Sequence, residues 1–289
     1  KMVVLNSDIQ FGEVQKLQFI NFSKPEGNEE SSTHVKVKIP QGTSIGYIGE
    51  DCAILAENYG IEFTKVVKSN QQGREIRTII GELVPAQKIK EKIEKEEQRL
   101  NDKYSKQLGI KGNLISFRQD GLYSSNTIAV AEKWMDDFIK SMPPAIILKT
   151  LEKMDRYESF IFLDKTIDTV TEKISGIQAL GQYMPEKKQI FIDMSIVNNN
   201  ITTINHEFLH AFDDLIANRV STSSQFKEYF DNESAQITIE KHAKPAPHEH
   251  FAIVGSYLFS PNLAEREQIR KEAPETCKFI EELVNKHSK

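Results

Sequence analysis

Residues 202–218 read Thr-Thr-Ile-Asn-His-Glu-Phe-Leu-His-Ala-Phe-Asp-Asp-Leu-Ile-Ala-Asn. Ile204, Phe208, Ala211, Phe212, Leu215 and Ile216 recur at helical spacing, so the stretch is an amphipathic helix. Thr202 or Thr203 can cap its start. Within it, His206-Glu-Phe-Leu-His210 sets two imidazoles one turn apart on one face. Side chains so placed converge on one small cation. Zinc takes nitrogen ligands at about 2.0–2.1 Å in tetrahedral geometry, and a catalytic site keeps one position for water. Glu207, beside the first ligand, is placed to act as general base toward that water. The expectation is a Zn2+ site held by His206 and His210, with Glu207 as the catalytic carboxylate.

Such a site needs a third protein ligand. Downstream candidates are Asp213, Asp214, His242, His248, Glu249 and His250. Asp213 and Asp214 continue the same helix and cannot readily bend back. Asp214 reads as an ordinary helix-face acid, while Asp213 reads equally as that or as a partner for a ligating histidine. Glu249 opens Glu-His-Phe-Ala-Ile-Val-Gly-Ser-Tyr-Leu-Phe, a helix after Pro245 and Pro247. A ligand on a second helix packed across from the first is the gluzincin arrangement, and Glu249 is the favoured ligand, with His248 and His250 as flanking rivals. The metzincin pattern HExxHxxGxxH is excluded, because position 213 is Asp and position 216 is Ile.

Working outward, Gln189–Met194 is an apolar strand just before this helix, assigned as the edge along which a peptide would lie extended. Tyr183-Met-Pro185 and Lys187-Lys188 before it read as a solvated hairpin rather than as pocket walls. Asn198–Asn200 is a turn. Ser159–Leu163 and Leu114–Phe117 are further strands. Ser125–Ser141 is a helix ended by Pro143-Pro144, and its Trp134 reads as a core residue. Ala86–Leu108 is dense in Lys and Glu, with Ile89, Ile93, Leu100, Tyr104 and Leu108 along one stripe. That is a long helix with a solvated face, closed by Gly109. Before Pro85 the chain is β-rich: Val35–Ile39 alternates at period two, Pro40–Thr43 turns, Ile76–Val84 is a strand, and residues 21–33 form a polar loop. Two domains follow, 1–84 and 85–289.

Composition narrows the function. With 39% hydrophobic and 27% charged residues the chain can bury a core. A net charge of −5 argues against nucleic acid as a partner. No apolar run is long enough to span a membrane. Cys52 and Cys277 cannot make a cysteine-rich zinc site, and a disulfide between them is not favoured. The polar start of the chain fits a fragment of something longer, or a product whose signal peptide has been removed.

His206–Asp214 (His-Glu-Phe-Leu-His-Ala-Phe-Asp-Asp) resembles the HEFGHAVDD motif of the anthrax toxin lethal factor family. Glu249-His-Phe-Ala252, Ala264-Glu-Arg266 and Ala273-Pro-Glu-Thr-Cys-Lys-Phe-Ile280 resemble that family's EFFAEAF, HAER and APKTFQFI. Asn58–Glu62, Val84-Pro85, the long helix and Ala131–Trp134 also have counterparts. The resemblance covers nearly the whole chain and is most specific toward its C-terminus. It implies an α+β fold. Residues 85–289 would be a zincin-like (gluzincin) catalytic domain, mostly helical with a small sheet. Residues 1–84 would be a β-rich, degenerate ADP-ribosyltransferase-like domain fragment. It implies a secreted toxin component acting in the host cytosol on the N-termini of MAP kinase kinases. A pore-forming delivery partner would be engaged through an N-terminal domain absent here. Related secreted peptidases cut between prolines.

Three positions depart from the family's pattern. The family's catalytic Tyr, seven residues before the Glu ligand, is His242 here, and an imidazole there could donate to the developing oxyanion. The Gly of HEFGH is Leu209, which could crowd the floor of the site. The second Glu of EFFAEAF is Ile253, which removes an acid near the ligands. A zinc-bound but proteolytically inactive binding module is therefore a rival to the peptidase. A purely structural zinc site, closed by His248 or His250 as a fourth ligand, is another.

Overall fold

The computed structural model describes residues 2–5, 20–21, 33–41, 45–47, 52–55, 59–71, 74–118, 122–155, 157–163, 180–194, 201–240 and 246–289. Within these, the fold is α+β. Every described element before Pro85 is a strand. β1 (Met2–Leu5), β3 (Thr33–Lys38), β6 (Tyr59–Gln71) and β7 (Arg74–Pro85) share one sheet. β2 (Ile20–Asn21), β4 (Ile45–Tyr47) and β5 (Cys52–Leu55) make a smaller one. β6 and β7 pair antiparallel along their length, with Thr64 as an extra residue between Phe63 and Lys65. The strand expected at 76–84 lies within β7, and that expected at 35–39 coincides with β3 as far as Lys38, Ile39 falling just beyond it. Residues 22–32 of the polar loop and the end of the Pro40 turn lie outside the described residues.

β7 runs directly into α1 (Ala86–Leu108), with Pro85 at the junction. Helical spacing buries Ile89, Ile93, Leu100 and Tyr104, while Leu108 is half-buried. Gly109 ends the helix in the left-handed conformation, φ 67°, a geometry open to a residue without Cβ. β9 (Leu122–Ser124), from beyond Pro85, lies parallel to β6 and completes the order β1-β3-β7-β6-β9. Lys92 of α1 and Glu62 of β6 form an ion pair across the same junction. α2 (Ser125–Ser141) ends before Pro143, and Pro144 starts α3 (Pro144–Leu151), where its fixed φ and missing N–H suit a first helical position.

The sheet that positions the site contains β8 (Ile115–Arg118), β10 (Phe160–Leu163), β11 (Gly181–Met184) and β12 (Gln189–Asp193), in the order β11-β12-β10-β8. β8, β10 and β12 are parallel, and β11 returns antiparallel through a turn at 185–188. The edge assignment made for Gln189–Met194 is corrected here. β12 is paired on both sides and wholly buried, so the outer strand on that side is β11. Tyr183 and Met184 are buried in β11 rather than solvated.

Against this sheet packs α4 (Ile201–Leu215); α6 (Pro247–Leu258) packs on α4, and α5 (Ser224–Glu233), α7 (Leu263–Glu272) and α8 (Pro274–Ser288) pack on α6. Phe138 of α2 packs edge-to-face on Phe160 of β10 and Phe208 of α4, with ring centroids 5.6 and 4.8 Å apart, joining sheet and helices in one core. Trp134 is half-buried against it. Cys277 is buried in α8 and unpaired. The turn expected at Asn198–Asn200 lies outside the described residues.

Candidate active site

α4 is fixed by its apolar face. Ile204, Phe208, Leu209, Ala211 and Phe212 are completely buried, which turns His206 and His210 toward the opposite, partly open side. α6 begins at Pro247 and carries Glu249 in its first turn. Phe251, Ala252 and Val254 anchor it in the core. A Cβ at Gly255 would lie 2.6 Å from Leu209 Cδ1, so the two helices approach closely only because that side chain is missing. Leu209 therefore fills the α4–α6 seam and does not crowd the site.

This packing brings His206, His210 and Glu249 together, with one ligand atom from each inside a 4.8 Å cluster. His206 Nε2 and His210 Nε2 are 3.0 Å apart. Glu249 Oε2 is 3.2 Å from His206 Nε2, and Oε1 is 3.6 Å from His210 Nε2. Ligands about 2.0–2.1 Å from a tetrahedral zinc are separated by about 3.3 Å. The three spacings bracket that value, so the donor set fits a zinc ion in both chemistry and size. The electrostatics agree. Burial works to raise the Glu249 carboxyl, but hydrogen bonds from His206 and His210 prevail and hold it far below the usual range. Burial works against the charged form of His210, yet the bond to Glu249 and the carboxylates of Glu207 and Asp213 leave it raised. A divalent cation would take the place of those protons.

Glu207 is buried and reaches the outer strand: its Oε2 accepts the Tyr183 N–H at 2.7 Å. Gly181 makes this contact possible, since a Cβ there would lie 2.6 Å from Thr203 Cγ2 and 2.8 Å from Glu207 Cγ. The Tyr183 hydroxyl donates to Asp214 Oδ2 at 3.1 Å, and Arg219 Nε donates to Asp214 Oδ1 at 2.7 Å. Burial, reinforced by Asp214, raises the Tyr183 phenol above its ordinary value. Asp213 accepts both the N–H and the hydroxyl of Ser221, at 3.1 and 2.5 Å. It serves the turn after α4, and burial raises its carboxyl.

Of the rival ligands, His250 is fully buried on the other side of α6, bonded to Thr276 Oγ1 at 3.1 Å, and burial lowers it to about 4. His248 is more than half exposed at the rim, with Nε2 3.4 Å from Glu249 Oε1. Ile253 is buried in the core. His242 lies outside the described residues. Gly181, Tyr183 and Arg219 were not found from sequence as parts of this arrangement. Asp214, expected as a bare helix-face acid, joins α4 to the outer strand.

Residues 149–283 match the family model described as anthrax toxin lethal factor, N- and C-terminal domain. The matched segment contains every residue of the site. Over this segment the chain is similar to that family. The lethal factor of Bacillus anthracis is 26% identical over 271 residues, covering 86% of this chain and 33% of that protein. The chain thus spans about a third of its relative's length. Among solved structures, a Pro-Pro endopeptidase from Paenibacillus alvei aligns with 59% of this chain and 97% of its own, at 19% identity and a TM-score of 0.44. An ADP-ribosylating toxin of a binary enterotoxin of C. perfringens aligns with 52% of this chain and 41% of its own, at 13% identity and a TM-score of 0.24. At these scores neither structural likeness carries weight.

Proposed function

We propose that the protein is a zinc-dependent endopeptidase of the zincin type that cleaves an extended segment of a protein substrate. The observation that carries this reading is the convergence of His206, His210 and Glu249, with Glu207 held between that cluster and the outer strand β11. When bound, zinc supplies Lewis acidity toward a water and the scissile carbonyl. The substrate adds to β11 by main-chain hydrogen bonds. Glu207 takes the proton as water attacks and passes it to the leaving amine. His242, standing where the family carries Tyr, is the proposed donor to the developing oxyanion.

By its likeness to lethal factor, the substrate is a protein of the host cytosol, of the MAP kinase kinase N-terminal type. The enzyme is secreted and enters with a pore-forming partner. Cleavage between prolines is the alternative specificity. The β-rich residues 1–84 are proposed as a degenerate ADP-ribosyltransferase-like fragment beside a catalytic domain of residues 85–289.

The test is cleavage of a peptide library by zinc-loaded wild type and Glu207→Ala. The wild type cleaves, and the variant keeps its metal but loses at least about 1,000-fold in kcat. Equal, negligible cleavage by both overturns the peptidase reading in favour of a binding module. The residues flanking the cut separate proline-directed from kinase-type specificity.

A further inference from the structure

We propose that Tyr183 is a positioning residue for Glu207, and that Asp214 and Arg219 form the latch that holds it there. The proposal rests on reading Glu207 as the base of a peptidase. Tyr183 makes two contacts with the metal helix. Its N–H meets Glu207 Oε2 at 2.7 Å, and its hydroxyl meets Asp214 Oδ2 at 3.1 Å. Glu207 and Asp214 lie two turns apart on α4, so one residue of β11 is held along the helix at two points and cannot slide without losing both. The side chain is buried, and Gly181 lets the strand sit directly on Thr203 and Glu207.

The far end of the latch is strained. Asn218 and Arg219 both have positive φ, 57° and 55°, which is uncommon for Arg. Arg219 N–H donates to Asp213 O at 2.7 Å, Ser221 is tied to the Asp213 carboxylate, and Arg219 Nε reaches Asp214. A turn over-determined in this way, directly after a metal helix, fits a functional constraint on where Arg219 points. Its consequence is a fixed Asp214 carboxylate, with one oxygen for the guanidinium and the other for the phenol. A carboxylate base misplaced by about 1 Å loses on the order of 100-fold in rate. The latch therefore acts on turnover rather than on metal binding.

The experiment compares Tyr183→Phe, Asp214→Ala and Asp214→Asn in the full chain. Zinc content, kcat and KM are measured, together with amide exchange at Tyr183 in 15N-tyrosine-labelled wild type and Asp214 variants. Tyr183→Phe and Asp214→Ala should lower kcat by about 10- to 100-fold with zinc content and KM retained. Asp214→Ala should speed exchange of the Tyr183 amide at least tenfold while the Tyr104 amide in α1 is unaffected. Asp214→Asn can still accept from Arg219 and donate to the phenol oxygen, so it should recover most of both losses. Unchanged protection of the Tyr183 amide in Asp214→Ala, or equal loss in the Asn and Ala variants, overturns the latch. If wild type cleaves no peptide, the peptidase reading falls while amide exchange alone still decides the latch.

Discussion

The two outer strands of the four-stranded sheet are treated in opposite ways. On β8, Asn101 of α1 accepts from the Ile115 N–H and donates to the Ile115 carbonyl, both at 2.9 Å, and Glu97 accepts from the Phe117 N–H at 2.9 Å. Side chains stand in for a neighbouring strand, and the edge is closed. On β11, the backbone contact seen among the described residues is the Tyr183 N–H on Glu207, from the helix that carries His206 and His210. One edge is finished by a helix whose task is structural. The other is met at one N–H by the residue expected to do chemistry. Equivalent damage to the two edges should therefore have different results.

The largest effect is expected at Gly181. Gly181→Ala puts a Cβ into Thr203 and Glu207, which drives the metal helix from the strand and lowers kcat by about 100-fold or more. Asn101→Ala leaves the Ile115 N–H and carbonyl buried and unsatisfied, which costs about 2–4 kcal/mol of stability and lowers Tm. Its turnover per folded molecule stays at the wild-type value. A kinetic defect in Asn101→Ala, or a purely thermal one in Gly181→Ala, would erase the distinction between the edges.

The closed edge was the easier to read from sequence. α1 has long helical periodicity and a terminal Gly109, and α2 and the HExxH helix are equally periodic. The strand expected at Gln189–Met194 is present as Gln189–Asp193 but is not the edge, for a physical reason. Ile190, Phe191 and Ile192 form an unbroken apolar run, which marks a strand buried on both faces and flanked on both sides. The outer strand is Gly181-Gln-Tyr-Met184, four residues of mixed character with no period to detect. Only the chemistry of its surroundings gives it meaning: Gly181 because a helix lies on it, Tyr183 because two carboxylates meet it. The convergence of His206 and His210 was legible because HExxH carries its own geometry, and that of Glu249 because Pro245 and Pro247 announce a second helix. Asp214 could not be separated from a surface acid without Arg219 and Tyr183 in place.

A smaller effect tests how the open side is held from behind. Gly255→Ala presses α6 away from Leu209, which should cost about 1–3 kcal/mol. It should also weaken zinc binding, since Glu249 rides on the same helix. Leu209→Ala in the same chain makes room for the added methyl and should restore zinc affinity, measured by competition with a chelator. If the second change restores nothing, the Leu209–Gly255 seam does not set the position of Glu249.

The smallest effect belongs to the closed side and is read in pH. α1 is tied to α2 where Arg99 forks onto Glu132 at 3.2 and 2.7 Å, joined by Lys103. The Arg99 hydrogen bond, aided by Lys103 and opposed by partial burial, lowers the Glu132 carboxyl to about 2 from an ordinary 4.5. A carboxyl lowered on folding binds its proton more readily in the unfolded chain. Its stabilising contribution is therefore complete above pH 4.5 and is lost as the pH falls toward 2. The pair is partly solvated, so screening keeps the contribution small. Glu132→Gln should lower Tm slightly at pH 7 and flatten its decline between pH 4.5 and 2, with kcat at neutral pH unchanged. An identical acid limb in wild type and variant would show that the Arg99–Glu132 pair adds nothing to the hold of α1 on α2.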